Sequence, residues 1–174
     1  MQTLKLSKIT SEDIKIYQEL YESSFPDNEK KPFDFMIQKQ KEHKMELLKI
    51  MKDHEFIGLM ITALSNPILL DYFAIVPKYQ SCGYGSQALK LLKQYYQKDF
   101  FGEIESTLHD DDIDKLKRKQ FYIKNGMIAM PFQIELFQVN MEILTSGCYI
   151  SYDQYRSLLV ENFGEYVLKH IHLL

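Results

Sequence analysis

The alternation Leu4-Lys5-Leu6-Ser7-Lys8-Ile9 predicts a half-buried strand at the start of the chain. Thr10 or Ser11 is expected to cap the following helix, whose apolar stripe is Ile14, Tyr17 and Tyr21. Turn residues around Pro26 break the pattern, and a second helical segment is expected over roughly 33–44. Two apolar runs, 47–51 and 56–64, flank the polar turn Lys52-Asp53-His54-Glu55 and predict an antiparallel hairpin. The run 68–76 is apolar except for Asp71, as in a strand covered on both faces, and Pro77 ends it. A helix over 86–98 is expected to pack through Ala88, Leu92, Tyr95 and Tyr96.

A strand at 102–107 then completes a βαβ unit with one parallel pair. Asp112 caps the next predicted helix, which faces inward through Ile113, Leu116, Phe121 and Tyr122 and stops at Asn125-Gly126. Short strands are expected at 127–130 and 137–143, the second strictly alternating. Ser151 and Gln154 form a capping-box pattern for a last helix packed through Tyr155, Leu158, Leu159 and Phe163. The tail 167–174 reads as a further short helix or an extension of it. The order β-α-α-β-β-β-α-β-α-β-β-α gives a mixed α/β (α+β) fold, with several antiparallel strands before one crossover.

A chain of 174 residues fits one domain, with a main body to about residue 145 and a helical extension over about 151–174. Its net charge of −3, with no Lys/Arg-rich face, disfavours nucleic acid as a partner. Cys82 and Cys148 have neither metal-ligand spacing nor the density of a disulfide scaffold. The start Met1-Gln2-Thr3-Leu4-Lys5 has no apolar run of signal-peptide type, and no stretch is long and apolar enough to span a membrane. A cytoplasmic protein without membrane partners is the expectation.

The stretch 71–89 carries the candidate chemistry. A buried strand, a Pro-marked turn and a glycine-containing loop lead into a helix start, where several N–H groups have no partner inside the helix. Those donors and the positive end of the helix dipole make an anion site, typically for phosphate. Gly83 and Gly85 admit a close backbone approach because neither has a Cβ. Cys82 lies at the helix start, but no His in the loop activates it, so it reads as a bystander. His109 with Asp110-Asp111-Asp112 reads as a helix-capping loop, since consecutive residues cannot all face one ion; no metal is expected.

This order of elements, with Gln80-Ser81-Cys82-Gly83-Tyr84-Gly85 after the fourth strand, resembles the GNAT (Gcn5-related N-acetyltransferase) superfamily. The family's loop pattern is matched at Gln80, Gly83 and Gly85. The segment 118–127 resembles its Phe-Tyr-x-x-x-Gly-Phe helix end, with Met127 in place of the usual Phe. The Phe25-Pro26…Glu29…Pro32 segment resembles one between the first two helices of some bacterial members. The resemblance implies that the amides of Ser81, Cys82, Gly83, Tyr84, Gly85 and Ser86 hold the pyrophosphate of acetyl-CoA. It implies that the pantetheine arm pairs with Phe73, Ala74, Ile75 and Val76, and that the Ile75 N–H donates to the thioester oxygen.

The reaction implied is N-acetyl transfer from acetyl-CoA to a primary amine of a small molecule or peptide, by direct attack in a ternary complex. Tyr122 matches the family's general acid, and Asp71 is either the base or a structural carboxylate. Glu29 and Phe25 are expected at the acceptor, with Glu105 and His109 as further ionisable candidates. A non-catalytic acyl-CoA-binding module of the same fold is the alternative, and the family leaves a homodimer open.

Overall fold

Strand β1 (Lys5–Lys8) and helices α1 (Ile14–Ser24) and α2 (Phe33–Lys41) precede a long hairpin of β2 (Met45–Lys52) and β3 (Glu55–Ala63). Then follow β4 (Ile68–Ile75), α3 (Tyr84–Tyr96), β5 (Phe100–Glu105) and α4 (Ile113–Lys124). The chain ends with β6 (Ile128–Leu136), β7 (Val139–Thr145), α5 (Tyr152–Phe163) and β8 (Ile171–Leu173). This computed structural model describes residues 3–109 and 111–174, so Asp110 of the acidic run lies outside the described residues. The mixed α/β class is as expected from the sequence. The chain divides into two compact units: Met1–Leu64 with Leu70–Gln97, and Ser65–Leu69 with Lys98–Leu174.

In the first unit the strands follow the order β1-β2-β3-β4, with antiparallel β1–β2 and β2–β3 ladders. The hairpin turn is Asp53-His54, with Asp53 at φ 55°, a left-handed position that aspartate tolerates. Helix α1 buries Tyr17, Leu20 and Tyr21. The buried Tyr17 hydroxyl lies 3.1 Å from both the Leu48 and Met60 carbonyl oxygens, which satisfies its polar end. Neither Thr10 nor Ser11 caps α1. Asp13 precedes the helix, and its carboxylate instead accepts from the Thr10 N–H and hydroxyl, which closes the turn.

Helix α3 begins two residues earlier than the periodicity suggests and buries Ala88, Leu89 and Leu92. Tyr95 is exposed, contrary to expectation, while the Tyr96 hydroxyl donates to Glu46 Oε2 at 2.6 Å. An apolar count treats a phenol as core although its hydroxyl directs the ring toward an acceptor.

In the second unit, residues 68–69 at the head of β4 pair in parallel with Phe100 and Phe101 of β5, and the strand order continues β5-β7-β6-β8. Three expectations change here. Phe137 and Gln138 form the β6–β7 turn with φ of 47° and 67°, so the alternating strand starts at Val139. The tail is a short 3-10 segment followed by β8, which pairs antiparallel with β6; a three-residue strand is too short for periodicity to reveal. No residue of helix α4 is fully buried: Ile113 and Leu116 of its expected inward stripe are exposed, while Phe121 and Tyr122 are half-buried. The Asp112 cap, the Asn125-Gly126 stop and the Ser151–Gln154 capping box all form as read from the sequence.

Candidate functional site

The parallel ladder between β4 and β5 comprises Ile68↔Phe100 and Leu69↔Phe101, at the head of β4. On the other edge the Val76 N–H donates to the Ile57 carbonyl at 2.9 Å. Across that trans peptide the Ile75 carbonyl points away from β3, where Gln80 Nε2 donates to it at 3.0 Å. In an extended residue the N–H and C=O lie on one edge, so the Ile75 N–H also points away from β3. Phe73, Ala74, Ile75 and Val76 are all half-buried. Gly58 makes this path available. A Cβ there would lie 2.3 Å from the Ala74 carbonyl oxygen and 3.2 Å from Ile75 Cα, so only glycine admits this crossing of β3 and β4.

After a short 3-10 turn at Pro77–Tyr79 the loop Gln80–Gly83 enters α3. Gly83 is the N-cap at φ 80°, the left-handed region that glycine occupies without penalty, and no side chain caps the helix. Nothing lies within 4 Å of where its Cβ would be. The first intrahelical bond runs from the Gln87 N–H to the Gly83 carbonyl at 3.2 Å, so the N–H groups of Tyr84, Gly85 and Ser86 precede it. Ser81, at φ 61°, and Cys82 are exposed, and the Cys82 thiol turns to the Gln80 carbonyl at 3.4 Å. Gly85 lies inside the first turn of α3; of the two glycines, Gly83 carries the left-handed conformation.

Two lysines that sequence reasoning passed over flank this loop. Lys52 Nζ donates to the Tyr84 hydroxyl at 2.8 Å, and Lys78 Nζ lies 4.5 Å from the Tyr79 ring centroid. Those hydroxyls help hold both ammonium groups charged, with pKa values above the ordinary lysine value. The loop therefore presents one left-handed glycine, three leading amides and two nearby cations.

Asp71 points to different partners. Both its carboxylate oxygens accept from Lys31 Nζ, at 2.9 and 2.8 Å, and its side chain is 4 % exposed. The adjacent Tyr72 hydroxyl donates to the Glu29 carbonyl at 2.7 Å and accepts from the Lys31 N–H at 3.0 Å. Tyr21 donates to the Lys31 carbonyl at 2.8 Å, and the Phe25 ring lies edge-on to Tyr72 with centroids 4.9 Å apart. Phe25, Glu29 and Asp71 are thus brought together around Tyr72, with Glu29 engaged there through its backbone. Lys31, the centre of this cluster, went unnoticed in the sequence because one lysine among several carries no periodic signal.

Tyr122, in the second unit, lies near the C-terminal end of α4, and its carbonyl accepts from the Asn125 and Met127 N–H groups. Burial pushes its phenol pKa up to about 12, against the opposing charge of Arg118 one turn earlier. Glu105 pairs with Lys115 at 2.9 Å. His109 is exposed, with φ 63°. Asp112 is the N-cap of α4, its Oδ1 accepting from the Asp114 and Lys115 N–H groups at 2.8 and 3.3 Å.

The family model described as acetyltransferase (GNAT) family matches residues 14–126. No curated protein sequence matches the chain significantly. Among solved structures, one assigned to the GNAT family as an acetyltransferase, from Bacteroides thetaiotaomicron, superposes with a TM-score of 0.78 at 18 % identity, covering 92 % of this chain and 98 % of that one. The ribosomal-protein-S18-alanine N-acetyltransferase of Escherichia coli gives 0.61 at 15 % identity, covering 86 % and 96 %. Arabidopsis thaliana Naa50, solved with the bisubstrate analogue CoA-Ac-MVNAL, gives 0.61 at 12 % identity, covering 84 % and 99 %. At these identities the likeness is one of fold.

Proposed function

Because this chain belongs to the acetyltransferase (GNAT) family, we propose that it transfers the acetyl group of acetyl-CoA to a primary amine by direct attack in a ternary complex. The observation that carries the reading is the end of β4. Its edge turns an Ile75 N–H away from β3 and leads, through Gly83, into the uncapped start of α3.

In this reading the loop amides of residues 81–86 bind the pyrophosphate, with Lys52 and Lys78 adding positive charge. The pantetheine arm lies along Phe73–Val76. The amine nitrogen attacks the thioester carbonyl carbon, and the Ile75 N–H donates to the oxygen as it gains negative charge. Collapse breaks the C–S bond: the amine nitrogen gives up its surplus proton to water, the thiolate takes its proton from the Tyr122 hydroxyl, and water returns a proton to that phenolate. Asp71 serves as a structural carboxylate, because its oxygens are already held by Lys31 and it precedes Ile75 by about 13 Å of extended chain. Phe25 and Glu29, fixed around Tyr72, shape the acceptor side.

Thiol release from acetyl-CoA, followed across polyamines, aminoglycosides, amino acids and peptides, tests the reaction. Turnover with one class supports the proposal. Calorimetric binding of acetyl-CoA without turnover on the whole panel would instead support a non-catalytic acyl-CoA-binding module. Absence of binding would remove both.

A further inference from the structure

Lys115, Lys119 and Tyr122 stand at i, i+4 and i+7 of α4 and therefore share one face of the helix. That face meets the sheet through charge. Lys115 Nζ pairs with Glu105 Oε2 at the end of β5 at 2.9 Å, and Lys119 Nζ pairs with Glu142 Oε1 on β7 at 2.6 Å. Three aliphatic residues of α4 do the opposite of what an amphipathic helix usually does: Ile113, Leu116 and Ile123 are 65, 39 and 45 % exposed, while Phe121 and Tyr122 are half-buried.

Glu142 is the fixed point of this arrangement. It is buried, with 6 % exposure, and its second oxygen accepts from both the N–H and the hydroxyl of Thr107 at 3.1 Å. Lys119 Nζ also reaches the Thr107 hydroxyl at 3.3 Å. One carboxylate on β7 thus holds the connection leading into α4 and the middle of the helix. The Lys119 side chain is 30 % exposed but that of Glu142 only 7 %, so losing the lysine leaves a buried carboxylate uncompensated, and the pair resists sliding more than a fully exposed one would.

We propose that Lys119, held by Glu142, is a positioning residue for Tyr122: the ion pair sets where α4 presents the phenol that protonates the departing thiol. The proposal rests on the general-acid reading of Tyr122. Tyr122 follows Lys119 by three residues, about 4.5 Å of helix rise, so a helix released at Lys119 carries the phenol with it. A displacement of about 1 Å in a reacting group costs up to about 100-fold in rate.

The test compares Lys119→Met, Lys119→Arg, Tyr122→Phe and the double variant Lys119→Met/Tyr122→Phe. Thiol release from acetyl-CoA is measured with the amine that turns over fastest in the panel, beside hydrogen exchange of residues 113–124. Lys119→Met is expected to lower kcat by about 10- to 100-fold with the KM for acetyl-CoA unchanged, and Lys119→Arg to restore most of the rate. Added to Tyr122→Phe, Lys119→Met should cost nothing more, because its effect passes through the phenol. Exchange in α4 should quicken in Lys119→Met while α3 stays protected.

Additive losses in the double variant, with Tyr122→Phe itself slow, overturn the positioning role and leave the general acid standing. Unchanged exchange in α4 overturns it whether or not an acceptor has been found. A Tyr122→Phe variant with the wild-type rate removes the general-acid reading and the positioning role together.

Discussion

Lys31 Nζ lies 2.9 and 2.8 Å from the two carboxylate oxygens of Asp71, so the lone acid of an apolar strand is engaged by a lysine from the segment between α1 and α2. The same segment is tied to Tyr72 through the Glu29 carbonyl and the Lys31 N–H. Neighbouring side chains of one strand therefore hold a loop that has no secondary structure of its own.

For Asp71 this predicts a stability defect. Asp71→Ala strands the ammonium of Lys31, whose side chain is 27 % exposed, and should cost toward the low end of ~3–5 kcal/mol in urea unfolding. Asp71→Asn should retain acetyl-CoA binding and measurable turnover. A fully stable, correctly binding Asp71→Asn protein without turnover would identify Asp71 as the base.

Gly58 predicts a second stability effect. With a Cβ placed 2.3 Å from the Ala74 oxygen, Gly58→Ala should lower unfolding stability by about 1–3 kcal/mol through strain. Acetyl-CoA affinity should fall as well, because Ala74 and Ile75 must shift. Unaltered melting would show that the β3–β4 crossing relaxes freely.

At the loop, Gly83→Val places a β-branched residue at φ 80°, which costs about 1–2 kcal/mol of backbone strain, and adds bulk where the leading amides point. Acetyl-CoA binding measured by calorimetry should weaken at least tenfold, about 1.4 kcal/mol. Gly83→Asn, which tolerates the left-handed region, should bind more tightly than the Val variant. Equal affinities for wild type and Gly83→Val would refute the phosphate site.

Tyr122, with its pKa raised to about 12 by burial, should remain protonated through pH 10. The difference in ultraviolet absorbance titration between wild type and Tyr122→Phe should show one phenol ionising near pH 12. As a general acid its loss should lower kcat by about 10²–10⁴-fold. A difference titration centred near pH 10 would contradict the buried environment.

The α4 attachment has a pH dependence of known sign. Burial alone would raise the Glu142 pKa, but the hydrogen bonds from Lys119 and Thr107 outweigh it and hold the carboxyl below its ordinary value near 4.5. A carboxylate depressed by folding contributes stability above its unfolded pKa and loses it as pH falls through the folded value. Exchange in residues 113–124 should therefore be slow and insensitive to the pair above about pH 5, once corrected for intrinsic rates, and should quicken relative to α3 below pH 4.5. In Glu142→Gln that extra acid quickening should be much reduced.

Most strands, the glycine loop and the ends of α4 and α5 were legible because each is a local matter; β8 and the cap of α1 were not. Alternation marks a half-buried strand, Gly83 and Gly85 mark a close backbone approach, and Asp112, Asn125-Gly126 and Ser151 with Gln154 serve backbone groups within a few residues. The sequence also determined the family, through Gln80, Gly83 and Gly85 ahead of a helix and Phe121-Tyr122 at the end of another. Only the tertiary structure decided how those pieces are held. Apolar spacing in α4 says that a stripe exists, yet not that the sheet beneath offers Glu105 and Glu142, so the helix docks by its lysines and leaves Ile113 and Leu116 outside. Likewise an acid within an apolar strand announces that a partner is needed, while the identity of that partner depends on a loop forty residues earlier: Lys31 for Asp71. Such pairings join residues far apart in the chain, and no short-range period records them.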